Sequence, residues 1–327
     1  MTAVPPLHPQ SYASGRGSAR DERELLETHV GGAYQVVREI GRGGMGVVFL
    51  ARDVMLHRLV AIKVLKRELA GIEEQRERFR REARVTAQLQ DDGIVAVHGF
   101  GETRELVYIV MEYVHGTALS THLAARGRLD ERDVRRIVAA LARTLDYAHR
   151  RGIVHRDLKP DNVLLEHETG RPMLTDFGVA LSRSADPQPS EAAHAFGTPH
   201  FMSPEQAAGE QDLDGRSDVY SLGVLAYLML TGNVPFDGSS YSAIASKHIA
   251  EPHVPIAERV GSVSGVFEAI VHKCLEKEPA QRWSRASALA DAIESTNNHS
   301  KTLGLVSKLG RFAALGAAGL GLIARHS

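Results

Sequence analysis

The sequence has little cysteine, little tryptophan and no excess of charge of either sign. Cys274 is the only cysteine among 327 residues, which excludes an intrachain disulfide framework and a cysteine-based metal site. A lone cysteine fits a reducing compartment, and we expect Cys274 to be a buried apolar residue. The formal net charge is −1 with both signs spread along the chain, so the composition gives no reason to expect a nucleic-acid partner.

The N-terminal segment also lacks something, namely the apolar run that a signal peptide requires. It is rich in proline, serine, glycine and charged residues instead. We therefore expect residues 1–33 to be a mobile leader.

Between the two ends of the chain, strand-like runs give way to helical patterns. The strand-like runs lie at 34–37, 46–50, 59–65 and 107–111, and one long charged segment at 73–89 has apolar residues at roughly helical spacing. Helical patterns then dominate at 118–125, 131–150, 217–231, 241–249, 266–275 and 286–295. The sequence therefore predicts an α+β fold, with a small sheet and one helix followed by a mainly helical part.

The most informative residues are His155–Asn162, followed closely by Asp176-Phe177-Gly178. They supply a carboxylate at Asp157 to orient a hydroxyl group and an amine at Lys159 to meet phosphate charge. Side-chain oxygens at Asn162 and Asp176 are suited to hold magnesium. Together these are the groups that phosphoryl transfer requires.

The two motifs resemble the catalytic and metal loops of protein kinases. The sequence of the glycine-rich segment at 43–48 resembles that of the corresponding segment in bacterial Hanks-type serine/threonine kinases. The resemblance covers about 34–294. It implies a two-lobed fold, with a β-rich N-lobe over 34–114 and a larger helical C-lobe over 115–294. It also implies ATP and Mg²⁺ as cofactors, with Mn²⁺ as the alternative ion, and proteins as substrates.

A nucleotide site is indicated by the glycine-rich segment and by the strand that ends in Lys63. Glycines let backbone amides approach phosphate, although a glycine cluster alone is more often an ordinary turn. In the kinase family the lysine meets the α- and β-phosphates, and a later hinge binds adenine. The nucleotide-binding residues implied by the resemblance are Ile40, Gly41, Arg42, Gly43, Gly44, Met45, Gly46, Val47, Val48, Ala61, Lys63, Met111, Glu112 and Val114.

A lysine in such a strand needs a counter-charge, which the family supplies as a glutamate on the helix of the small lobe. We predict Glu82, which follows Phe79 by three residues and shares its helical face. Glu77 is the competing candidate, and a plain surface charge is the alternative interpretation of either glutamate.

The resemblance also assigns roles to residues outside the two motifs. Thr198 is expected to bond toward the catalytic Asp157 and Lys159, Glu205 to pair with Arg282, and Asp218 to anchor the catalytic loop. His155 is expected to be structural and Phe177 to pack between lobes. One departure concerns the segment between Asp176 and Gly197, where such kinases usually offer threonines for phosphorylation and this chain has only the serines at 182, 184 and 190.

Two rival interpretations of the chain remain. A pseudokinase would bind ATP or a partner without transfer, but Lys63, Asp157, Asn162 and Asp176 are all present. A small-molecule kinase would share the fold, but residues 197–205 resemble a platform for peptide substrates.

The C-terminal tail is a separate question. Residues 312–324 carry no charge, but as a helix they cover about 20 Å, short of a bilayer core of about 30 Å. The longer segment 303–324 includes Lys308 and Arg311, which share one face and suit a helix lying on an anionic membrane. We expect the tail either to lie on or be anchored in the inner face of the membrane, or to pack on the large lobe or have no fixed structure. The catalytic domain is expected to be cytoplasmic in every case.

Overall fold

The structure, a computed structural model, describes residues 18–177 and 199–296, with side chains from Glu22 onward. The chain divides into two compact units, and the division falls between His115 and Gly116. The sequence prediction placed the division after residue 114. The serines at 182, 184 and 190, Thr198 and the tail at 303–324 lie outside the described residues.

Unit 1 is built on a five-stranded antiparallel sheet. Its strands are β1 (Tyr34–Arg42), β2 (Gly46–Asp53), β3 (Leu59–Leu65), β4 (Val97–Glu102) and β5 (Val107–Glu112), in the order β1-β2-β3-β5-β4. The β-branched and apolar residues of β3 suit a strand that is covered on both faces. In the ladder, Lys63 lies opposite Val48 of β2 and Ile109 of β5. The lysine therefore projects from the middle of the sheet.

Three helices accompany this sheet, α1 (Ser18–Val30), α2 (Arg67–Ala70) and α3 (Glu73–Thr86). Helix α1 occupies residues that the sequence analysis assigned to the mobile leader. Its Leu26 and Val30 lie four residues apart on one helical face, and both are buried in an apolar cluster with Val47 and Phe49 of β2. The leader prediction therefore does not hold for residues 18–30.

Unit 2 is mainly helical. Its helices are α4 (Leu119–Arg126), α5 (Glu131–His149), α6 (Pro204–Ala207), α7 (Gly215–Thr231), α8 (Tyr241–Ala250), α9 (Ile256–Arg259) and α10 (Gly265–Cys274), followed by α11 at 286–296. A small antiparallel sheet contains β6 (Gly116–Ala118), β7 (Val163–Glu166) and β8 (Pro172–Leu174). The predicted α+β class is confirmed, and the six predicted helices of this part are all present.

Helix α7 forms the centre of unit 2 and is buried on nearly every side. Asp214 caps its first turn by accepting from the backbone amide of Arg216, and Gly232 ends it in the left-handed conformation that glycine adopts easily. A Cβ at Gly223 would lie 2.5 Å from the Cβ of Cys274, so α7 and α10 approach more closely than a larger residue would permit. Cys274 is buried as predicted, and burial raises the pKa of its thiol to about 12.

Neither 18–177 nor 199–296 contains a helix with the length and apolar composition needed to cross a bilayer.

Candidate active site

The glycine-rich segment forms the hairpin between β1 and β2. Ile40, Gly41 and Arg42 end β1, and the backbone amide of Gly43 donates to the carbonyl of Gly46 at 2.9 Å. A Cβ at Gly46 would lie 2.6 Å from the carbonyl oxygen of Val64, so glycine is required there by the packing of β2 on β3. A Cβ at Gly43 or Gly44 would meet no atom within 4 Å. Packing within the hairpin therefore does not require glycine at positions 43 and 44. The space beside these two residues leaves their backbone open to approach by a ligand.

Lys63 is buried and forms an ion pair with α3. Its Nζ lies 2.7 Å from Oε1 of Glu82. The competing Glu77 is exposed and pairs with Arg80 and Arg84 of its own helix instead. The structure therefore places the predicted glutamate, and not its competitor, beside the lysine.

The predicted adenine-binding residues lie at the end of β5 and just beyond it. Met111 and Val114 are buried, as the wall of an apolar pocket requires. The backbone amide of Glu112 donates to the carbonyl of Ala96 at 2.8 Å. Because that donor is already used, an adenine contact at Glu112 would need its carbonyl oxygen.

In unit 2 the predicted catalytic residues converge on Asp157. Lys159 Nζ lies 2.7 Å from Oδ2 of Asp157, and Nδ2 of Asn162 donates to the backbone carbonyl of Asp157 at 2.7 Å and to its Oδ2 at 3.1 Å. The carboxylate of Asp157 is half-exposed, whereas Asn162 is buried. Since the side-chain NH₂ group of Asn162 donates to Asp157, the side-chain oxygen of Asn162 is the atom available to bind a ligand.

The second motif lies beside the first. The backbone amide of Thr175 donates to the carbonyl of Asn162 at 3.0 Å, which brings Asp176 close to Asn162. Asp176 has a φ of 55°, a left-handed conformation that aspartate tolerates better than most residues. Phe177 is fully buried, and its ring lies 4.7 Å from that of His155. These contacts within unit 2 agree with a structural role for His155.

Asp218 of α7 holds the backbone that carries Asp157. It is fully buried, and its two carboxylate oxygens accept from the backbone amides of His155 at 2.8 Å and Arg156 at 2.9 Å and from Nε2 of His149 at 2.7 Å. Burial alone would raise the pKa of the Asp218 carboxyl, but the hydrogen bonds and the charge of His149 outweigh burial and hold that pKa below its ordinary value. Arg156 has a φ of 66°, so the loop is held in a conformation that non-glycine residues rarely adopt.

Residues around α6 support the same loop from another side. Nε2 of Gln206 donates to the carbonyl of Arg156 at 2.8 Å, and Ser203 caps α6 with a reciprocal bond to Gln206. Glu205 forms a two-pronged ion pair with Arg282, with both N to O distances at 2.7 Å. The predicted pair of Glu205 and Arg282 is therefore present.

The sequence motifs do not point to Gln206, which contacts the loop, or to His149, which contacts the loop's anchor Asp218. Neither residue belongs to a motif, and each contact joins residues far apart in sequence, 50 apart for Gln206 with Arg156 and 69 apart for His149 with Asp218. Among the described residues, no three His, Cys, Asp or Glu side chains cluster as a protein-only metal site would need.

Comparisons with known proteins bear on this arrangement. A family model described as "Protein kinase domain" matches residues 34–293. The serine/threonine-protein kinase PrkC of Bacillus subtilis is 38% identical over 272 residues, which cover 83% of this chain and 41% of PrkC. The serine/threonine-protein kinase PknB of Mycobacterium leprae is 40% identical over 270 residues, which cover 81% of this chain and 43% of PknB. The chain thus spans about two fifths of the length of these curated relatives.

A solved structure is also similar. The crystal structure of the Mycobacterium tuberculosis PknI kinase domain matches with a TM-score of 0.64 and 32% sequence identity. The match covers 80% of this chain and 96% of that domain. Nearly the whole of that domain therefore has a counterpart in this chain.

Proposed function

We propose that this chain, which belongs to the bacterial Hanks-type serine/threonine branch of the protein kinase family, transfers the γ-phosphoryl group of ATP to serine and threonine hydroxyls of proteins. The fold and the family inferred from the sequence are confirmed by the match over residues 34–293. We propose residues 34–294 as the catalytic domain. The observation that carries the proposed activity is the arrangement of Lys159 and Asn162 around the half-exposed carboxylate of Asp157.

Asp157 is the proposed base. It would accept or orient the hydroxyl proton while the hydroxyl oxygen bonds to the γ-phosphorus and the bond from phosphorus to the bridging oxygen of ADP breaks. Lys159, already beside the carboxylate, would meet the charge on the phosphoryl group in transfer. No covalent intermediate on the enzyme is needed, because positioning and charge neutralisation supply most of the catalysis.

The family uses ATP with a divalent metal ion, and we propose Mg²⁺, with Mn²⁺ as the alternative. The ion would neutralise charge on the phosphates. Asn162 and Asp176 would hold it, and they fit because the side-chain oxygen of Asn162 is left over after its amide group bonds to Asp157. Magnesium commonly takes only one or two protein ligands beside phosphate and water, so the lack of a larger acidic cluster in the described residues does not conflict with this set.

The nucleotide would be held mainly by residues of unit 1. Lys63, fixed by Glu82, is proposed to contact the α- and β-phosphates, and the open backbone at Gly43 and Gly44 to cover them. Adenine is proposed to bind at Met111–Val114, with the carbonyl of Glu112 as an acceptor.

Regulation through the segment between Asp176 and Glu205 is a further part of the proposal. The serines at 182, 184 and 190 and Thr198 are candidates for autophosphorylation, and Arg156 would pair with the added phosphate. Thr198 is the least favoured of these candidates, because its hydroxyl is also the family's link to Asp157 and Lys159 and would then be structural. Phosphopeptide mass spectrometry that finds none of these residues modified in an active preparation would exclude the autophosphorylation part.

Asp157→Asn tests the activity against the two rivals, with Asp161→Asn as the matched control because Asp161 is an exposed aspartate of the same loop. Asp157→Asn is expected to lower transfer from labelled ATP to a basic protein by about 10² to 10⁴-fold and to leave ATP binding nearly unchanged. Asp161→Asn should keep both. ATP binding without transfer by the unaltered chain would indicate a pseudokinase, and label found only on small molecules would indicate the other rival.

The tail carries a separate proposal. We propose that residues 303–324 attach the chain to the inner face of the cell membrane, with the catalytic domain cytoplasmic. The uncharged run at 312–324 and the shared face of Lys308 and Arg311 support this. Fractionation of the full chain against one that ends at Ser300 is the test, and equal solubility without lipid binding by either would exclude the proposal.

A further inference from the structure

Helix α3, which carries Glu82, has few apolar contacts for its length. Its 14 residues include five arginines and four glutamates, and its buried side chains are Arg76, Phe79, Ala83 and Thr86. One aromatic ring and the methyl groups of Ala83 and Thr86 bury little apolar surface. The charged side chains must therefore contribute to fixing the position of the helix.

Arg76 is the most heavily bonded of these side chains. Its guanidinium donates to the carboxylate of Glu102 in β4, to the carbonyl of Ala70 at 3.0 Å and to the carbonyl of Thr103 at 2.6 Å. A buried guanidinium with several fixed acceptors is a directional contact that a sliding or rotating helix would lose. Arg76 thus ties the start of α3 to the end of β4.

Arg80 repeats the contact one helical turn later. Its Nε and Nη2 donate to the two carboxylate oxygens of Glu102 at 2.8 and 2.7 Å. Glu102 therefore receives two guanidinium groups from successive turns of one helix. The hydrogen bond from Arg80, with that from Arg76, holds the pKa of the Glu102 carboxyl at about 2, so the cluster stays ionised at any physiological pH.

The geometry of the helix connects this cluster to Glu82. Residues two apart on an α-helix point about 200° away from each other, so Arg80 and Glu82 lie on nearly opposite sides of α3. Glu102 on one side and Lys63 on the other therefore hold the helix from opposite directions. Loss of either contact leaves the helix free to rotate or shift toward the other.

We propose that Arg76, Arg80 and Glu102 form a positioning cluster that sets α3 in the place where Glu82 meets Lys63. The inference rests on the proposed function only for its consequence in catalysis, since the ion pair itself is a property of unit 1. Glu102 would touch neither nucleotide nor protein substrate. It acts through the helix that carries Glu82.

The test measures the state of Lys63 directly and without nucleotide. A small amine-reactive reagent is applied to the full chain, and the modification rate of Lys63 is read from its peptide by mass spectrometry. Glu82→Gln serves as the reference for a lost ion pair and should raise the rate about tenfold, because a close opposite charge suppresses the reactive neutral amine. Glu102→Gln, which keeps the shape of the side chain, should raise the rate most of the way to that reference.

Glu74→Gln is the matched control. Glu74 lies on the same helix and forms an exposed ion pair with Arg78 at 2.9 Å, away from β4. Its replacement should leave the rate of Lys63 at the wild-type value. Arg80→Met is a second test variant, which removes the partly exposed guanidinium that bonds to Glu102. It replaces Glu102→Gln in the test if that variant does not fold.

Two results would overturn the inference. One is a Lys63 rate in Glu102→Gln and Arg80→Met equal to that of Glu74→Gln. The other is an unchanged rate in Glu82→Gln, because there would then be no ion pair to position.

Activity gives a second readout through a double-mutant cycle. Glu102→Gln should lower kcat/KM in the wild-type chain about tenfold and have little further effect in the Glu82→Gln background. Additive losses would contradict action through Glu82. A chain whose Lys63 responds as expected but which transfers no phosphoryl group would contradict the proposed function and leave the positioning cluster in place.

Discussion

Removal of one partner of the buried ion pair between Arg282 and Glu205 is predicted to destabilise unit 2 strongly. The side chain of Arg282 is completely buried, and its five N–H donors all have acceptors. Two go to the carboxylate of Glu205 at 2.7 Å, and three go to the backbone carbonyls of Glu276, Arg216 and Lys277 at 2.8 to 2.9 Å. Replacement by methionine would leave a buried carboxylate and three carbonyls without these donors.

We expect Arg282→Met to lower the free energy of unfolding by about 3 to 5 kcal/mol, the cost of leaving one partner of a buried pair uncompensated. Arg282→Lys keeps the charge but has at most three donors, so its loss should be intermediate. Arg143 offers a matched control, because it contacts Asp291 and Glu294 at 2.6 and 2.7 Å while 42% of its side chain is exposed. Arg143→Met should cost about 0.2 to 1 kcal/mol.

The assay is urea unfolding followed by circular dichroism and by the fluorescence of Trp283, the only tryptophan of the chain. Trp283 donates from its indole to the carbonyl of Ile270, so its emission reports unit 2. Similar small losses in Arg282→Met and Arg143→Met would refute the reasoning. The two arginines have nearly equal distances to their carboxylates and differ in burial and in the three backbone carbonyls that Arg282 bonds.

Two further predictions concern buried carboxylates. Asp218→Asn should lower turnover about 10²-fold while ATP binding persists. The side chain of asparagine has one acceptor oxygen and cannot accept from His149 and from the backbone amides of His155 and Arg156 together, so the loop that carries Asp157 should shift. Unchanged turnover in steady-state kinetics would contradict this. Glu22 is 1% exposed, neither of its carboxylate oxygens has a hydrogen-bond partner, and the guanidinium of Arg42 lies 3.7 Å away, so burial outweighs the attraction of Arg42 and raises the pKa of Glu22 above the ordinary value of 4.5. Since the folded state then binds the proton more tightly than the unfolded state, the wild-type chain should gain stability as the pH falls through the raised pKa. Glu22→Gln should lack this gain and be about 1 kcal/mol more stable than wild type near neutral pH. Thermal unfolding at several pH values measures both effects.

The sequence predicted the proposed ligand-binding residues better than it predicted the residues that hold them in position. Asp157, Lys159, Asn162 and Asp176 belong to motifs whose spacing is local, and the structure brings all four together within unit 2. Glu82 was separable from Glu77 because its spacing from an apolar residue placed it on the inner face of a helix. Such signals depend on the periodicity of one element and need no knowledge of the fold.

Helix α1 was missed because the composition of its surroundings outweighed its apolar periodicity. Leu26 and Val30 have helical spacing, yet the surrounding proline, glycine and charge favoured a leader without structure. The helix is stabilised by burial of these two side chains against the sheet of unit 1. That contribution depends on tertiary contacts, which a window of sequence does not contain.

The contacts that position the site were hidden for a related reason. Arg76, Arg80 and Glu102 read in sequence as surface charges, because Glu102 lies 22 residues from Arg80 and 26 from Arg76. Asp218 was assigned as an anchor by family resemblance, but its donor His149 has no motif of its own. A charge becomes a structural element only when the fold supplies enough partners to offset its burial. Motifs therefore indicate where chemistry occurs, while the precision of the site depends on buried charges whose partners come from distant elements.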